Sequence, residues 1–220
     1  MKNLIMSVFF LIIVMIINVP TFGQVLTPNF KGKQSIYINI GLDPAVLTTF
    51  GYSYRLSSEN FWKDIILFGE ASIPVGEFEI NDYRIKVGIQ NSLVNSDNWN
   101  FSLAGYFMVR GTENSIHSAT NYGLGILALA GYYESDWFSA FELGYDKGIL
   151  TDIKHTDWYR DYFYSDVRDG LYSNPSGNIS LGLRGGYLIS DFEITLRAGI
   201  AKTEMFNNPV GVPFYSTVCK

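Results

Sequence analysis

Apolar and polar residues alternate along most of the chain beyond residue 34. In segment 64–75, Ile65, Leu67, Gly69, Ala71 and Ile73 share one face, and Asp64, Glu70 and Ser72 the other. In 82–93, Tyr83, Ile85, Val87 and Ile89 oppose Arg84, Lys86, Gly88 and Gln90. In 178–189, Ile179, Leu181, Leu183 and Tyr187 oppose Ser180, Arg184 and Gly186; in 192–202, Phe192, Ile194, Leu196, Ala198 and Ile200 oppose Glu193, Thr195, Arg197 and Gly199. Successive side chains of a strand point to opposite faces, so each segment has one greasy side and one charged side. The pattern predicts ten strands, roughly 35–43, 47–57, 64–75, 82–93, 99–110, 119–134, 137–147, 178–189, 192–202 and 213–219. After residue 23 no stretch sustains apolar residues at helical spacing, so no helix is predicted.

A short motif punctuates these strands: Ser58-Glu59-Asn60-Phe61-Trp62, Ser96-Asp97-Asn98-Trp99, Ser135-Asp136-Trp137 and Ser190-Asp191-Phe192. Each copy falls between two alternating segments, as a tight turn in an up-and-down barrel would. Counting strands puts all four copies on one rim. The remaining connections, 76–81, 111–118, 148–177 and 203–212, are longer, with only 44–46 short.

Alternation alone fits two structures. A soluble sandwich or lipocalin-like barrel turns the apolar face inward; a membrane barrel turns it outward and keeps charges in the lumen. Three features favour the membrane. The strands run about ten residues, the length a tilted strand needs to cross a bilayer. Trp62, Trp99 and Trp137, three of the four tryptophans, lie at the recurring turns, where an interfacial girdle belongs. Short turns on one rim and long loops on the other match bacterial outer-membrane barrels, as does an even strand count. The expected fold is therefore all-β, an up-and-down antiparallel transmembrane β-barrel of about ten strands. Charges on every strand exclude a helical membrane protein.

The start of the chain adds a location. Met1-Lys2-Asn3 precedes an uncharged run from Leu4 to Val19, then Pro20-Thr21-Phe22-Gly23. A positive tip, a short apolar core and a small residue at the cut describe a secretory signal peptide. The run is shorter than the roughly 20 residues a membrane helix needs. The expected division is a signal peptide over 1–23 and one barrel domain over 24–220, with no cysteine near the cut to carry a lipid. Losing Lys2 takes the net charge from −5 to −6, which argues against a nucleic-acid partner. Cys219, the only cysteine, cannot form a disulfide within the chain and has no adjacent base to activate it.

The signal peptide ending before Gln24, the ten alternating strands and the ending Pro213-Phe214-Tyr215-Ser216-Thr217-Val218 together resemble small outer-membrane β-barrels of the Bacteroidetes type. Ile153-Lys154-His155, Asp169-Gly170-Leu171-Tyr172 and Gly185-Gly186-Tyr187 also look like members of that group. The resemblance covers most of the chain after residue 23. It implies a Gram-negative outer membrane, with the lipid bilayer and lipopolysaccharide as surroundings. Periplasmic chaperones and the barrel-insertion machinery would be assembly partners. Such barrels end on a full strand with a last aromatic residue, whereas this chain ends Val218-Cys219-Lys220. The last strand is expected to be short or cut off, as from a truncated reading frame.

The predicted lumen holds Arg55, Glu70, Arg84, Lys86, Gln90, Arg110, Glu142, Asp146, Arg184, Glu193 and Arg197. A ten-stranded barrel is only slightly wider than the eight-stranded kind that side chains fill, and buried charge demands a partner. A plug of paired charges is expected rather than a pore; a narrow channel is the alternative.

The segment 148–177 is the longest predicted loop. It carries Asp152, Asp157, Asp161, Asp166 and Asp169 with Lys154, Arg160, Arg168 and His155. Aromatics are dense in it: Trp158, Tyr159, Tyr162, Phe163, Tyr164 and Tyr172. Long loops are functional or disordered, and aromatic density disfavours disorder. Trp158, Tyr159, Arg160 and Tyr162 are of the types that dominate binding hot spots. They are the candidate contacts for a glycan, a lipid head group or a protein; a lid over the barrel mouth is the other expectation. The aspartate spacing does not match an EF-hand, and no metal or cofactor is expected.

Both histidines, His117 and His155, fall in predicted outer loops. No G-x-S-x-G, H-E-x-x-H or P-loop pattern occurs. Adjacent residues on an extended chain point apart, so His117 and Ser118 make a poor base–nucleophile pair. If there is catalysis, His155 with Asp157 or Asp161 is the candidate. The leading expectation is a structural or surface-binding outer-membrane barrel. An outer-face enzyme modifying lipid or peptide, and a narrow channel, are the alternatives.

Overall fold

The structure is a computed structural model that describes residues 33–43, 45–56, 65–74, 82–174, 176–189 and 192–205. The expected signal peptide, Trp62 with its turn, the connection 76–81 and the strand expected at 213–219 lie outside these residues. The first seven strands are β1 (Gln34–Asp43), β2 (Ala45–Leu56), β3 (Ile65–Pro74), β4 (Tyr83–Ser96), β5 (Trp99–Glu113), β6 (His117–Tyr133) and β7 (Trp137–His155). After them come a short helix α1 (Asp157–Tyr162), then β8 (Gly170–Ser173), β9 (Ser176–Ile189) and β10 (Phe192–Met205). Neighbours pair antiparallel in the order β1-β2-β3-β4-β5-β6-β7-β9-β10, with β8 added beside β7. The result is an all-β, up-and-down sheet curled into a half-barrel. Among the described residues β1 and β10 are its edges and do not pair. The curl brings Tyr37 of β1 into electrostatic range of Arg184 and Arg197 on β9 and β10. No helix among the described residues is long and apolar enough to cross a membrane.

The two faces differ: one buries charged and polar side chains, and the other exposes aliphatic ones. On β4, Arg84, Lys86 and Gln90 are buried while Ile85, Val87 and Ile89 are exposed. On β3, Glu70 and Ser72 are buried beside Ile66 and Phe68, and Leu67 and Ile73 face out. Lys86 and Arg184 are 2% exposed, whereas Leu183 is 62% and Leu196 72%. A small apolar cluster, Phe68, Ala104, Leu127 and Leu129, sits among the interior polar groups.

Antiparallel order puts the strand ends flanking all four Ser-acid-aromatic motifs on one rim. At the β4–β5 turn Asp97 takes a φ of 49°, a left-handed conformation that aspartate tolerates better than most residues. Asn98 beside it donates to the Tyr132 hydroxyl at 2.9 Å and to Glu134 at 2.7 Å, tying this turn to the next. Trp99, Tyr132 and Trp137 form a continuous aromatic row across the outward face, with ring centroids 5.5 and 5.7 Å apart. Tyr187 extends the row as the cross-strand partner of Trp137.

The opposite rim differs from expectation. Segment 148–177 is not an irregular loop: β7 continues to His155, α1 follows, and β8 returns along β7. The register shift between Tyr122 and Gly123 makes Ile149 an extra residue, a β-bulge. Beyond it the buried positions move from even to odd numbers, with Thr151 and Ile153 inside, which hides the strand from a period-two reading. The 111–118 connection likewise shrinks to a turn at Asn114–Ile116, where the Asn114 side chain accepts from the Ile116 and His117 N–H groups at 2.9 Å. Strands β5, β6 and β7, of 15, 17 and 19 residues, therefore rise as an arm above their neighbours. α1, six residues long, was not predicted because one and a half turns cannot display an apolar period. Its signal is local: Thr156 caps it, accepting from the Tyr159 N–H at 3.3 Å, and Asp157 opens the first turn.

Candidate functional site

Two groups of polar residues stand out: the interior face and the arm. On the interior, parity brings charges into cross-strand rows. Arg84 lies opposite Arg110, and Arg184 opposite Arg197. Like charges facing one another need acids between them. Asp82 takes Arg110 in a two-point contact at 3.1 and 3.0 Å. Glu142 accepts from Arg197 at 3.1 and 2.5 Å and lies 4.0 Å from Arg184, which also reaches Glu193 at 3.4 Å. Glu70 lies opposite Lys86 and receives the Tyr37 hydroxyl at 2.7 Å. The Lys86 ammonium sits 4.5 Å above the Tyr106 ring, and the Tyr106 hydroxyl donates to Asp146. Gln90 is buried and Arg55 half-buried on the same face. The structure thus gathers the predicted lumen residues on one concave surface and pairs Arg110, Arg184 and Arg197 with acids there.

Sequence reasoning missed several members of this interior. Tyr37 is an aromatic whose hydroxyl is satisfied by Glu70. Asn121 and Asn174 join Thr151 in a buried network: Thr151 donates to Asn121 at 2.7 Å, and Asn174 donates to Thr151 at 2.8 Å and to Asn121 at 3.2 Å. Asn121 has the parity of Gly123 and Gly125 on its own strand, and that signal could have placed it inside. Asn174 lies in the segment expected to be loop.

The arm carries the residues singled out for binding or catalysis. His155 is the cross-strand partner of His117, with ring centroids 6.3 Å apart. Its Nδ1 lies 3.0 Å from the Asp169 carboxylate, and its backbone N–H donates to the same carboxylate at 2.9 Å. Arg160 reaches the other Asp169 oxygen at 2.5 Å, and Tyr159 stacks on the His155 ring at 5.7 Å. The expected pairing of His155 with Asp157 or Asp161 is replaced by pairing with Asp169. Asp157 and Asp161 project from the exposed side of α1. The β7–β8 hairpin returns Asp169 to His155, with Gly170 at a φ of 145°, open to glycine but strained for other residues.

The hydrogen bond from the His155 N–H, then that from its ring, holds the Asp169 carboxyl below the usual range. Burial, then the neighbouring His155, pushes the His117 imidazole down. Among the described residues no hydroxyl or thiol is hydrogen-bonded to His155, and no three His, Cys, Asp or Glu converge on a metal position.

The four predicted binding residues split by helical geometry. Tyr159 and Arg160 turn toward the histidine cluster and are half-buried. Trp158 and Tyr162, four residues apart on one face of α1, are exposed, with ring centroids 6.0 Å apart. Phe163 and Tyr164 extend this exposed surface, at 59% and 67%. The helix is pinned from below by the Thr156 hydroxyl, which donates to the Ser115 carbonyl at 2.8 Å. No family model, curated protein or solved structure matches this chain.

Proposed function

We propose that the protein is an outer-membrane β-barrel that anchors in lipid by its outward apolar face and presents the β5–β8 arm at the cell surface. The arm acts as a non-catalytic binding platform. The observation that carries this reading is the inversion of the faces: aliphatic residues exposed, charged residues buried and mutually paired. In water such a surface would aggregate, because contiguous apolar patches of that size mark an interaction surface. In a bilayer it is the ordinary arrangement. The aromatic row at the short-turn rim supports the periplasmic interface there, which leaves the arm outside. The paired interior supports a plug over a channel.

Two measurements test the proposal. The protein freed of residues 1–23 should stay folded in mild detergent and change its gel migration on boiling. Trypsin added to intact cells should cut within the arm, at Lys154, Arg160 or Arg168. A protein that is soluble without detergent, with no such shift, would remove the membrane reading; an arm protected in intact cells would reverse the orientation.

One observation favours an enzyme instead, the His155–Asp169–Arg160 chain, which resembles a base with its orienting acid. Loss of a surface hydrolytic activity in His155→Ala, with the heat-dependent shift retained, would assign the arm to catalysis.

A further inference from the structure

At the arm end of the interior face, register sets Arg84, Arg110 and Asn121 side by side on β4, β5 and β6, with Thr151 of β7 next in the row. All four are buried; Arg110 is 5% exposed and Asn121 0%. Arg110 holds Asp82 through Nε and Nη2. Its Nη1, on the other edge of the planar guanidinium, has no acceptor among the described residues. The Asn121 amide is oriented by its oxygen, which accepts from the Thr151 hydroxyl and from Asn174 Nδ2. Asn174 is fixed in turn, because its own oxygen accepts from the Ser176 N–H and hydroxyl. Turning the Asn121 amide over would therefore set donor against donor. With its oxygen toward β7, the planar amide turns Nδ2 away from β7, to the side where Arg110 stands on β5. That Nδ2 has no acceptor either among the described residues. Two buried donors thus face the same stretch between β5 and β6.

We propose that Arg110 Nη1 and Asn121 Nδ2 are the paired donors of a binding site for a small oxyanion: a phosphate, sulfate or carboxylate group. Buried donors without acceptors are rare in native proteins and costly, so these two call for a partner. The residues decide which. Both atoms only donate. Arg84 faces Arg110 across the strand pair, and like charges directly opposed are unfavourable. An oxyanion accepts from both donors in charge-assisted hydrogen bonds and offsets that repulsion. A water accepting from both would still have two hydrogens to place. The acids of this end are engaged elsewhere. Asp82 holds the other edge of Arg110. Glu70 and Asp146, one and two rows nearer the short-turn rim, accept from Tyr37 and Tyr106. The Asp82 side chain is 44% exposed, so the site lies about a guanidinium's width from solvent. Through Asn121 the bound oxyanion braces Thr151 and Asn174 at the base of the arm. The inference uses the buried face alone and does not rest on the membrane reading.

The test is calorimetric titration of the protein freed of residues 1–23, in mild detergent, with inorganic phosphate and separately with acetate. Chloride holds the ionic strength constant. The native protein should bind one oxyanion per chain, saturably. Tighter binding of phosphate assigns a phosphate or sulfate group, and tighter binding of acetate a carboxylate. Asn121→Asp keeps the oxygen that Thr151 and Asn174 use and puts a second carboxylate oxygen in place of Nδ2, so Arg110 gains an acceptor of its own. This variant should fold and lower oxyanion affinity about tenfold or more, the worth of a hydrogen bond to a charged group. Arg110→Gln, which leaves behind only the partly exposed Asp82, should lower it similarly. Either variant decides the question if the other fails to fold. Bound oxyanion should also raise hydrogen-exchange protection at Thr151 and Asn174 in the native protein and not in Asn121→Asp. Heats no larger than dilution with both probes would mean that the two donors meet water only and would overturn the site. Equal affinity in the native protein and a folded variant would overturn it as well.

Discussion

Glu142 is the interior acid that contacts two arginines. It is 3% exposed and serves two arginines that face one another across β9 and β10. Replacing it by glutamine keeps the shape and removes the charge that Arg184 and Arg197 share. Breaking a buried pair costs about 3–5 kcal/mol. Glu142→Gln should lower unfolding stability in lipid vesicles by that amount, measured by urea titration. The double change Glu142→Gln with Arg197→Met should recover part of it. A change below about 1 kcal/mol would mean the pair is solvated, as exposed pairs are. The parity of Arg84, Lys86, Arg184 and Arg197 made their common face legible in the sequence. Their partners were less so: Asp82 precedes the strand, and Tyr37 reads as an aromatic on a polar face.

At the scale of the element, the arm is where sequence and structure diverge most. Ile149 is one extra residue, and it flips the faces of Thr151 and Ile153, so the period-two reading of the sequence stops at Lys147. The pairing of His155 with Asp169 spans fourteen residues and depends on a hairpin that no period announces. His117 and His155 face one another where β6 and β7 end, and the arm should therefore respond to pH. His117 has a depressed folded-state pKa, so protonation favours the undocked arm. The sign follows from linkage: the contribution is full above the ordinary histidine pKa and is lost as pH falls below it. Asp169, also depressed, contributes in the same sense but only at far lower pH, being lost as pH falls through its own folded value. Normalised hydrogen-exchange protection of Asp157–Tyr162 should drop between about pH 7.5 and about pH 5.5, the histidine window. His117→Phe should flatten that dependence. Protection that stays constant in the native protein over this window would show that the facing histidines do not govern docking.

At the scale of the molecule, a period of two cannot say which face is inside, because a soluble sandwich and a membrane barrel share it. Strand lengths, the aromatic turns and the asymmetry of the rims tilt the choice. The buried charges and exposed aliphatics of the folded sheet are the observation on which the membrane proposal rests. Leu183 sits midway along the outward face of β9 and is 62% exposed. On a soluble surface its replacement by arginine would change stability by about 0.5 kcal/mol or less. Facing the bilayer midplane it should cost about 2–4 kcal/mol, again by urea titration in vesicles.

The same position gives the most direct test of where this surface lies. A nitroxide placed at Leu183→Cys, in a Cys219→Ser background and reconstituted into vesicles, reports whether water or lipid surrounds it. The account predicts that it collides readily with oxygen, which concentrates in hydrocarbon, and hardly at all with a water-soluble nickel chelate. A label at Leu183 as accessible to the chelate as one at Tyr164 on the arm would contradict it.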